Sequence, residues 1–305
     1  MAAQGIPLVS AGRRGMLGPM TNPDPAILTD QTAAEAAERE PFEVHGEWRR
    51  QIVATAIHAG HDLRPEVADA MILPEDVRFR EEDPFTDRIG ALVPDRVDVR
   101  RSRFEVDLNR DRDGSVYRTP DECWGLEVWR ESPLDEGIAE RSREEHDAFY
   151  ATLRELLDPI AARGPFVLYD LHSYNHRRDG ADADASPQEE NPDVNVGTGS
   201  LDRERFGGVV DAFLEAMGGQ ERGGAAIDAR ENVRFQGANL AKWVHETYPG
   251  VGCCLALEFK KVFMDEWTGE PDERAIAEFS VALEATLEPV AAALAELGQA
   301  EGASA

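Results

Sequence analysis

The chain reads as an α/β protein: a single domain on a mixed, mostly parallel twisted sheet with helices on both faces. Three observations point there. Residues 52–57, 166–174 and 251–259 are largely apolar runs of strand length. A long amphipathic stretch at 136–163 separates the first run from the second, and strand–helix–strand order suits parallel strands joined by helical crossovers. Each run also ends in polar residues able to do chemistry, as strands do at the ligand-binding edge of an open α/β sheet.

Bulk composition narrows the function classes. The 305 residues allow one large domain or two small ones, and 42% hydrophobic content is enough for a sizeable core. A formal net charge of −28 repels nucleic acid and anionic membrane, so neither is expected as a partner. The only lysines are Lys242, Lys260 and Lys261, so arginine carries nearly all the positive charge. Cys123, Cys253 and Cys254 are odd in number and two are adjacent, which argues against a disulfide framework. Cys253 and Cys254 lie in an apolar run and read as packed thiols. No run approaches a membrane span and no charged-then-apolar signal opens the chain, so a reducing cytoplasm is the expected location.

Taken in order, residues 1–42 read as a mobile N-terminal arm with a short helix near 32–40, residues 43–298 as the catalytic domain and 299–305 as a tail. The first apolar run ends at His58-Ala59-Gly60-His61-Asp62. A lone histidine there would suit a capped loop; two strand ends carrying histidine favour a metal. Glu81-Glu82-Asp83-Pro84-Phe85 is an interrupted acidic run, either a solvated face or a loop turning one carboxylate inward. Residues 96–99 read as a short strand. Alternation of Phe104, Val106 and Leu108 with Arg103, Glu105, Asp107 and Asn109 reads as an extended segment. Its arginine and amide suit a carboxylate ligand, or equally a structural Arg–Asp network.

The helix at 136–163 carries His146, read as structural, and Gly164-Pro165 ends it. The next strand delivers Asp170, His172, Ser173 and Tyr174. Residues 175–193, with Arg177 and Arg178, read as a long loop that shapes substrate access. Residues 195–200 are glycine-rich without a phosphate-loop lysine and read as a turn, not a nucleotide site. A helix at 206–217, a short strand at 232–236 and a helix at 242–248 follow. Glu258 stands inside the last apolar run. Buried glutamates are rare unless paired or functional, and desolvation would raise the carboxyl toward neutral pH. One closing helix at 271–298, interrupted at Pro289, completes the reading.

These parts suit one chemistry. Histidines and a carboxylate would hold Zn²⁺ with a position open to water, and Glu258 would take the proton from that water. Arginine and asparagine would hold a substrate carboxylate and stabilise an oxyanion. That is metal-assisted hydrolysis of an amide.

Four segments then resemble the N-formylglutamate amidohydrolase family, which is related to the zinc carboxypeptidases and aspartoacylase-like deacylases. They are Ile57-His58-Ala59-Gly60, Ser102 through Arg110, Asp170-Leu171-His172-Ser173, and Leu257-Glu258 with Phe263-Met264-Asp265-Glu266 behind it. The resemblance covers about 52–269 and implies a zinc-carboxypeptidase-like fold. It implies His58 and His172 as zinc ligands and Glu258 as general base. It implies Arg103 as the group polarising the scissile carbonyl and Asn109-Arg110 as a carboxylate clamp. Tyr174 and Arg177 join the substrate-binding candidates. The position of the carboxypeptidase glutamate ligand holds His61 here, so the third ligand is left among Asp83, His61 and Glu82, with Asp83 ranked first.

The expected activity is therefore a zinc-dependent amidohydrolase, with one Zn²⁺ per chain, acting on an N-acyl acidic amino acid such as N-formylglutamate. The substrate is a small molecule or short peptide bearing a carboxylate. A metallocarboxypeptidase-like peptidase and a non-catalytic carboxylate-binding module on the same fold are the alternatives.

Overall fold

The three continuous apolar runs form the centre of a seven-stranded sheet. Residues 39–302 are described by this computed structural model. The strands are β1 (Phe42–His45), β2 (Ile52–Ala56), β3 (Arg96–Val99), β4 (Phe166–Tyr174), β5 (Val194–Gly197), β6 (Glu221–Arg222), β7 (Ala225–Ala226), β8 (Ala229–Glu231) and β9 (Gly252–Lys260). In the main sheet the order is β1-β3-β2-β4-β9-β5-β8, with β6 and β7 forming a separate ribbon. Strands β3, β2, β4 and β9 run parallel, whereas β1 and β5 pair antiparallel with their inner neighbours. This is a mixed, mostly parallel sheet in one α/β domain.

The helices are α1 (Pro65–Ala70), α2 (Glu75–Glu81), α3 (Thr86–Ile89), α4 (Glu136–Ala161), α5 (Arg203–Gly218), α6 (Asn239–Thr247), α7 (Glu273–Ala285) and α8 (Leu287–Gly302). On one face of the sheet Val53, Phe166, Leu168 and Cys254 pack with Phe149 and Leu153 of α4 and Leu240 and Val244 of α6. On the other, Ala54, Val167, Tyr169 and Leu255 pack with Phe213 of α5, Phe279 of α7 and Val290 of α8. Burial of both faces explains why the central strands are apolar throughout rather than alternating. Asp170, His172 and Glu258 share parity with Leu168 and Cys254, so they continue the α4-side face beyond its apolar part.

Four elements differ from expectation. Residues 195–200 were expected as a turn, but Val194–Gly197 is a buried strand paired with β9 and β8. The neighbouring strand is Ala229–Glu231, not 232–236. There Asn195 Oδ1 accepts from the backbone N–H of Arg234 and Phe235, so a side chain replaces the ladder. Residues 101–110 are not extended: turn bonds from Glu105 to Ser102 and Arg110 to Asp107 fold them. Glu105 and Asp107 are buried along with Phe104, Val106 and Leu108, so the alternation does not separate two faces. The closing helix is two helices, broken at Thr286, whose hydroxyl contacts Tyr169. Pro289 sits in the first turn of α8, where a missing N–H costs nothing.

Helix α8 runs to Gly302, which takes up most of the expected tail. The expected arm and its helix lie outside the described residues apart from their last few positions, and Phe42 already opens β1. Among the described residues no helix is long and apolar enough to cross a membrane.

Gly60 fixes the loop after β2. It bridges Ser102, and a Cβ there would lie 2.2 Å from the Arg100 carbonyl carbon, a backbone atom that has little room to yield. Gly208 in α5 has open space around it. Gly60→Ala is expected to lower unfolding free energy by about 1–3 kcal/mol, whereas Gly208→Ala raises it by up to about 1 kcal/mol; urea denaturation midpoints check both.

Candidate active site

Parallel pairing brings three strand ends to one edge. Register places His172 of β4 directly beside Glu258 of β9, and Glu258 beside Asn195 of β5. His58 follows the end of β2, the other neighbour of β4. The His58 and His172 rings stand edge to face, with centroids 4.9 Å apart.

The third member arrives on a loop. Asp83 follows α2, and its backbone N–H donates to the His58 carbonyl at 2.9 Å. Lys261, the residue after β9, donates from Nζ to the carbonyls of Arg80 and Glu82 at 2.6 and 2.7 Å. The loop is thus stitched to the ends of both β2 and β9. Its carboxylate lies 3.1 Å from His172 Nδ1, 3.4 Å from His58 Nδ1 and 3.1 Å from Ser173 Oγ.

The far nitrogens of both rings meet carboxylates. His58 Nε2 lies 2.7 Å from Asp107 Oδ1, and His172 Nε2 lies 2.9 Å from Asp170 Oδ2. Asp107 can accept a hydrogen bond from His58 Nε2–H, which would leave the His58 Nδ1 lone pair free to bind a metal; His172 Nε2 meets both Asp170 and, at 3.3 Å, Asn109 Nδ2. Asp170 is held in turn by the Thr55 hydroxyl at 3.1 Å. Asp107 also accepts from Arg103 Nη2 at 2.9 Å and Tyr117 Oη at 2.5 Å. One carboxylate therefore fixes both His58 and Arg103.

The local charge is unbalanced. Asp83, Asp107 and Asp170 are buried, and Glu258 adjoins them. Burial opposes ionisation of Asp83, but its contacts with His172 and His58 outweigh that and hold it well below the usual carboxylate range. Burial likewise opposes charge on His172, yet Asp170 and Asp83 raise it well above an ordinary imidazole. Glu258 is different: loss of water, only partly offset by His172, pushes its carboxyl up to about 7. A buried carboxyl pushed upward beside like-charged acids, in a cleft, marks a candidate for acid–base work.

The residues fit a metal ion. His58, Asp83 and His172 each offer a ligand atom, and these atoms lie within 4.8 Å of one another. His58 Nδ1 is buried without a hydrogen-bond partner. Two imidazoles and a carboxylate suit Zn²⁺, and the same donors serve Mn²⁺ or Fe²⁺.

A cavity of about 210 Å³ opens over this group. His58, Asp83, Arg103, Asn109, His172, Tyr174 and Glu258 all line it. Three expected site residues stand apart. His61 is bonded to Glu82 at 2.5 Å and to Arg78 at 2.7 Å, which occupies both ring nitrogens. Arg110 lies over the Tyr117 ring and donates to the Glu122 carbonyl. Arg177 does not line the cavity; its backbone N–H donates to Glu266, and its neighbour Arg178 lines the wall instead. Asn109 reaches the cavity but is committed locally, with Oδ1 accepting from the Leu240 N–H at 3.0 Å.

Asp107, Asp170, Arg178, Lys261 and Trp124 were not singled out as site residues by sequence reasoning. Asp170 was visible beside His172, but nothing in a single sequence shows which ring nitrogen a strand aspartate reaches. Trp124 and Lys261 carried no local signal.

The family model for N-formylglutamate amidohydrolase matches residues 50–264. The chain belongs to this family. N-formylglutamate amidohydrolase from Ralstonia eutropha JMP134 shares its fold, at 17% identity and TM-score 0.65 over 84% of this chain and 98% of that one. A gene product of Agrobacterium tumefaciens, Atu2144, matches at 16% identity and TM-score 0.58 over 86% and 98%. No curated protein matches the chain. As a member of the N-formylglutamate amidohydrolase family the chain is an amidohydrolase by class, and its cavity is the candidate active site.

The buried ammonium of Lys261 is the tie on the Asp83 loop. Lys261→Met strands two carbonyls and is expected to cost about 1–3 kcal/mol of stability, read as a lowered urea midpoint.

Proposed function

We propose that the chain hydrolyses the amide bond of an N-acyl acidic amino acid such as N-formylglutamate, using Zn²⁺ held by His58, Asp83 and His172. The observation that carries this is the grouping of those three ligand atoms within 4.8 Å beside Glu258. Family membership and the Ralstonia eutropha structure, an N-formylglutamate amidohydrolase, support the substrate class. Bound at this group, Zn²⁺ supplies a Lewis acid that polarises the scissile carbonyl and acidifies water.

The chain's own residues supply the rest. Glu258 takes a proton from the attacking water and returns it to the amide nitrogen as that nitrogen leaves. Arg103, fixed by Asp107, donates to the carbonyl oxygen as it gains negative charge. Arg178, which lines the cavity, is assigned the side-chain carboxylate of the substrate in place of the Asn109-Arg110 clamp that the resemblance implies. Asp107 keeps His58 in the ligating tautomer, and Asp170 lies against the far nitrogen of His172. Tyr174 donates to the Pro192 carbonyl and so forms fixed wall rather than a mobile clamp.

Three outcomes test the reading. Glu258→Gln is expected to lose turnover by about 10²–10⁴-fold while still binding one zinc in calorimetry, whereas Asp83→Ala loses zinc and His61→Ala keeps it. Glu258 must be ionised to act, so kcat/KM falls as pH drops through its pKa; a dication beside it favours the carboxylate, so this acid limb lies below the value of about 7 that burial and the neighbouring side chains set without a metal. Arg178→Ala is expected to raise KM for N-formylglutamate roughly 10- to 100-fold, with Arg177→Ala close to the parent enzyme in the same steady-state assay.

A further inference from the structure

Trp124 has no part in the chemistry above, yet the fold holds it at the cavity. It is 55% exposed, the most exposed large hydrophobic residue among those described, and it lines the cavity wall. Its backbone has φ +58, in the left-handed region that a bulky residue rarely adopts, and Gly125 follows at +85. Strain of this kind persists only where the surroundings enforce it, and it clusters at functional sites. Here the surroundings do enforce it. A capping box closes the turn at Thr119 and Glu122, and the N–H groups of Cys123 and Gly125 both donate to the Pro120 carbonyl.

The indole is oriented as well as exposed. It stands edge-on to Phe104 and Tyr117, at 6.4 and 6.1 Å between centroids, and the Arg103 guanidinium lies 4.9 Å from its ring centre. Phe104 and Tyr117 are fully buried, so a tryptophan serving only to cover them had no need to remain half exposed. A second aromatic, Phe235, also lines the cavity and packs on Tyr174 at 5.5 Å.

We propose that Trp124 forms a subsite for the acyl group, and that the N-acyl substituent this enzyme prefers is aromatic rather than formyl. The proposal rests on the reading of Arg103 as the group at the scissile carbonyl. With Arg103 at that oxygen the carbonyl carbon sits near the indole that Arg103 touches, and we assign the acyl substituent to the Trp124 side and the amide nitrogen to the Arg178 side. A formyl group carries only hydrogen there and leaves the indole without a partner. A flat apolar ring stacks on it and removes its exposed surface from water. The amino-acid half of the substrate, with its charge, is left to Arg178.

The test compares kcat/KM for N-benzoyl- and N-formyl-L-glutamate with the zinc-loaded parent, Trp124→Phe and Trp124→Ala enzymes, each checked for an unchanged melting temperature. The expected result is a benzoyl-over-formyl ratio that falls roughly tenfold or more in Trp124→Ala and is largely retained in Trp124→Phe. Equal loss on both substrates in Trp124→Ala overturns the proposal, because the tryptophan then acts only by steadying Arg103. Cleavage of the formyl substrate without the benzoyl one overturns it too, and leaves the amidohydrolase reading standing. Cleavage of neither overturns both.

Discussion

Parallel pairing of β4 with β9 is the constraint on which the site depends. It sets His172 and Glu258 side by side at the same sheet edge, and β2 on the other flank of β4 brings His58 to the same place. Two buried faces make that register hard to slip, since a shift of one residue would drive His172 and Glu258 into the apolar side and Leu171 and Leu257 out of it. The strands are apolar because they are sandwiched, and the polar residues stand where the sandwich ends. Fold and site are two consequences of one pattern.

The Asp83 loop shows how the remaining ligand is made rigid. A carboxylate on a free loop would cost ordering entropy at each binding event. Here the loop is already bonded to the His58 carbonyl on one side and to Lys261 on the other. The position three residues after His58 is taken by His61. That histidine is absorbed by Glu82 and Arg78 in a network that also includes the Ser102 hydroxyl donating to Glu82. The same network holds the start of the Ser102–Arg110 segment against the loop after β2. Asp107 at the far end of that segment then ties His58, Arg103 and Tyr117 together.

How much of this was legible in the chain follows from where each residue sits. His58, His172 and Glu258 interrupt apolar strand runs, and a polar residue in such a place is visible against its background. Asp83 was readable as one of three candidates, because Pro84 and Phe85 break an otherwise solvated acidic run. Arg110 and Arg177 were misplaced for a common reason: both lie in irregular segments, where side-chain direction follows from turn bonds rather than from period. In the Ser102–Arg110 segment the turns bury Glu105 and Asp107 alongside the apolar residues, so alternation pointed to a solvent face that is absent. After Tyr174 the Glu266 carboxylate holds the backbone of His176 and Arg177, and Arg178 is the arginine at the cavity. Strand β5 was hidden because Val194–Gly197 is short and ends in glycine, and its identity comes from pairing with β9, a long-range contact.

Acids crowd the centre of the site: Asp83, Asp107, Asp170 and Glu258 lie around two imidazoles and the Arg103 guanidinium, and Arg178 and Lys261 also line the cavity. Hydrogen bonds satisfy most of these groups but do not neutralise them, and buried charge is stable only when paired. On the proposed reading a dication among His58, Asp83 and His172 would balance this charge, with Glu258 beside it as general base. Anomalous diffraction at the zinc absorption edge, on crystals of protein purified without chelator, tests this most directly. The account predicts one strong peak bounded by His58 Nδ1, the Asp83 carboxylate and His172 Nδ1. A peak at His61 and Glu82, or none after zinc is supplied, would contradict it.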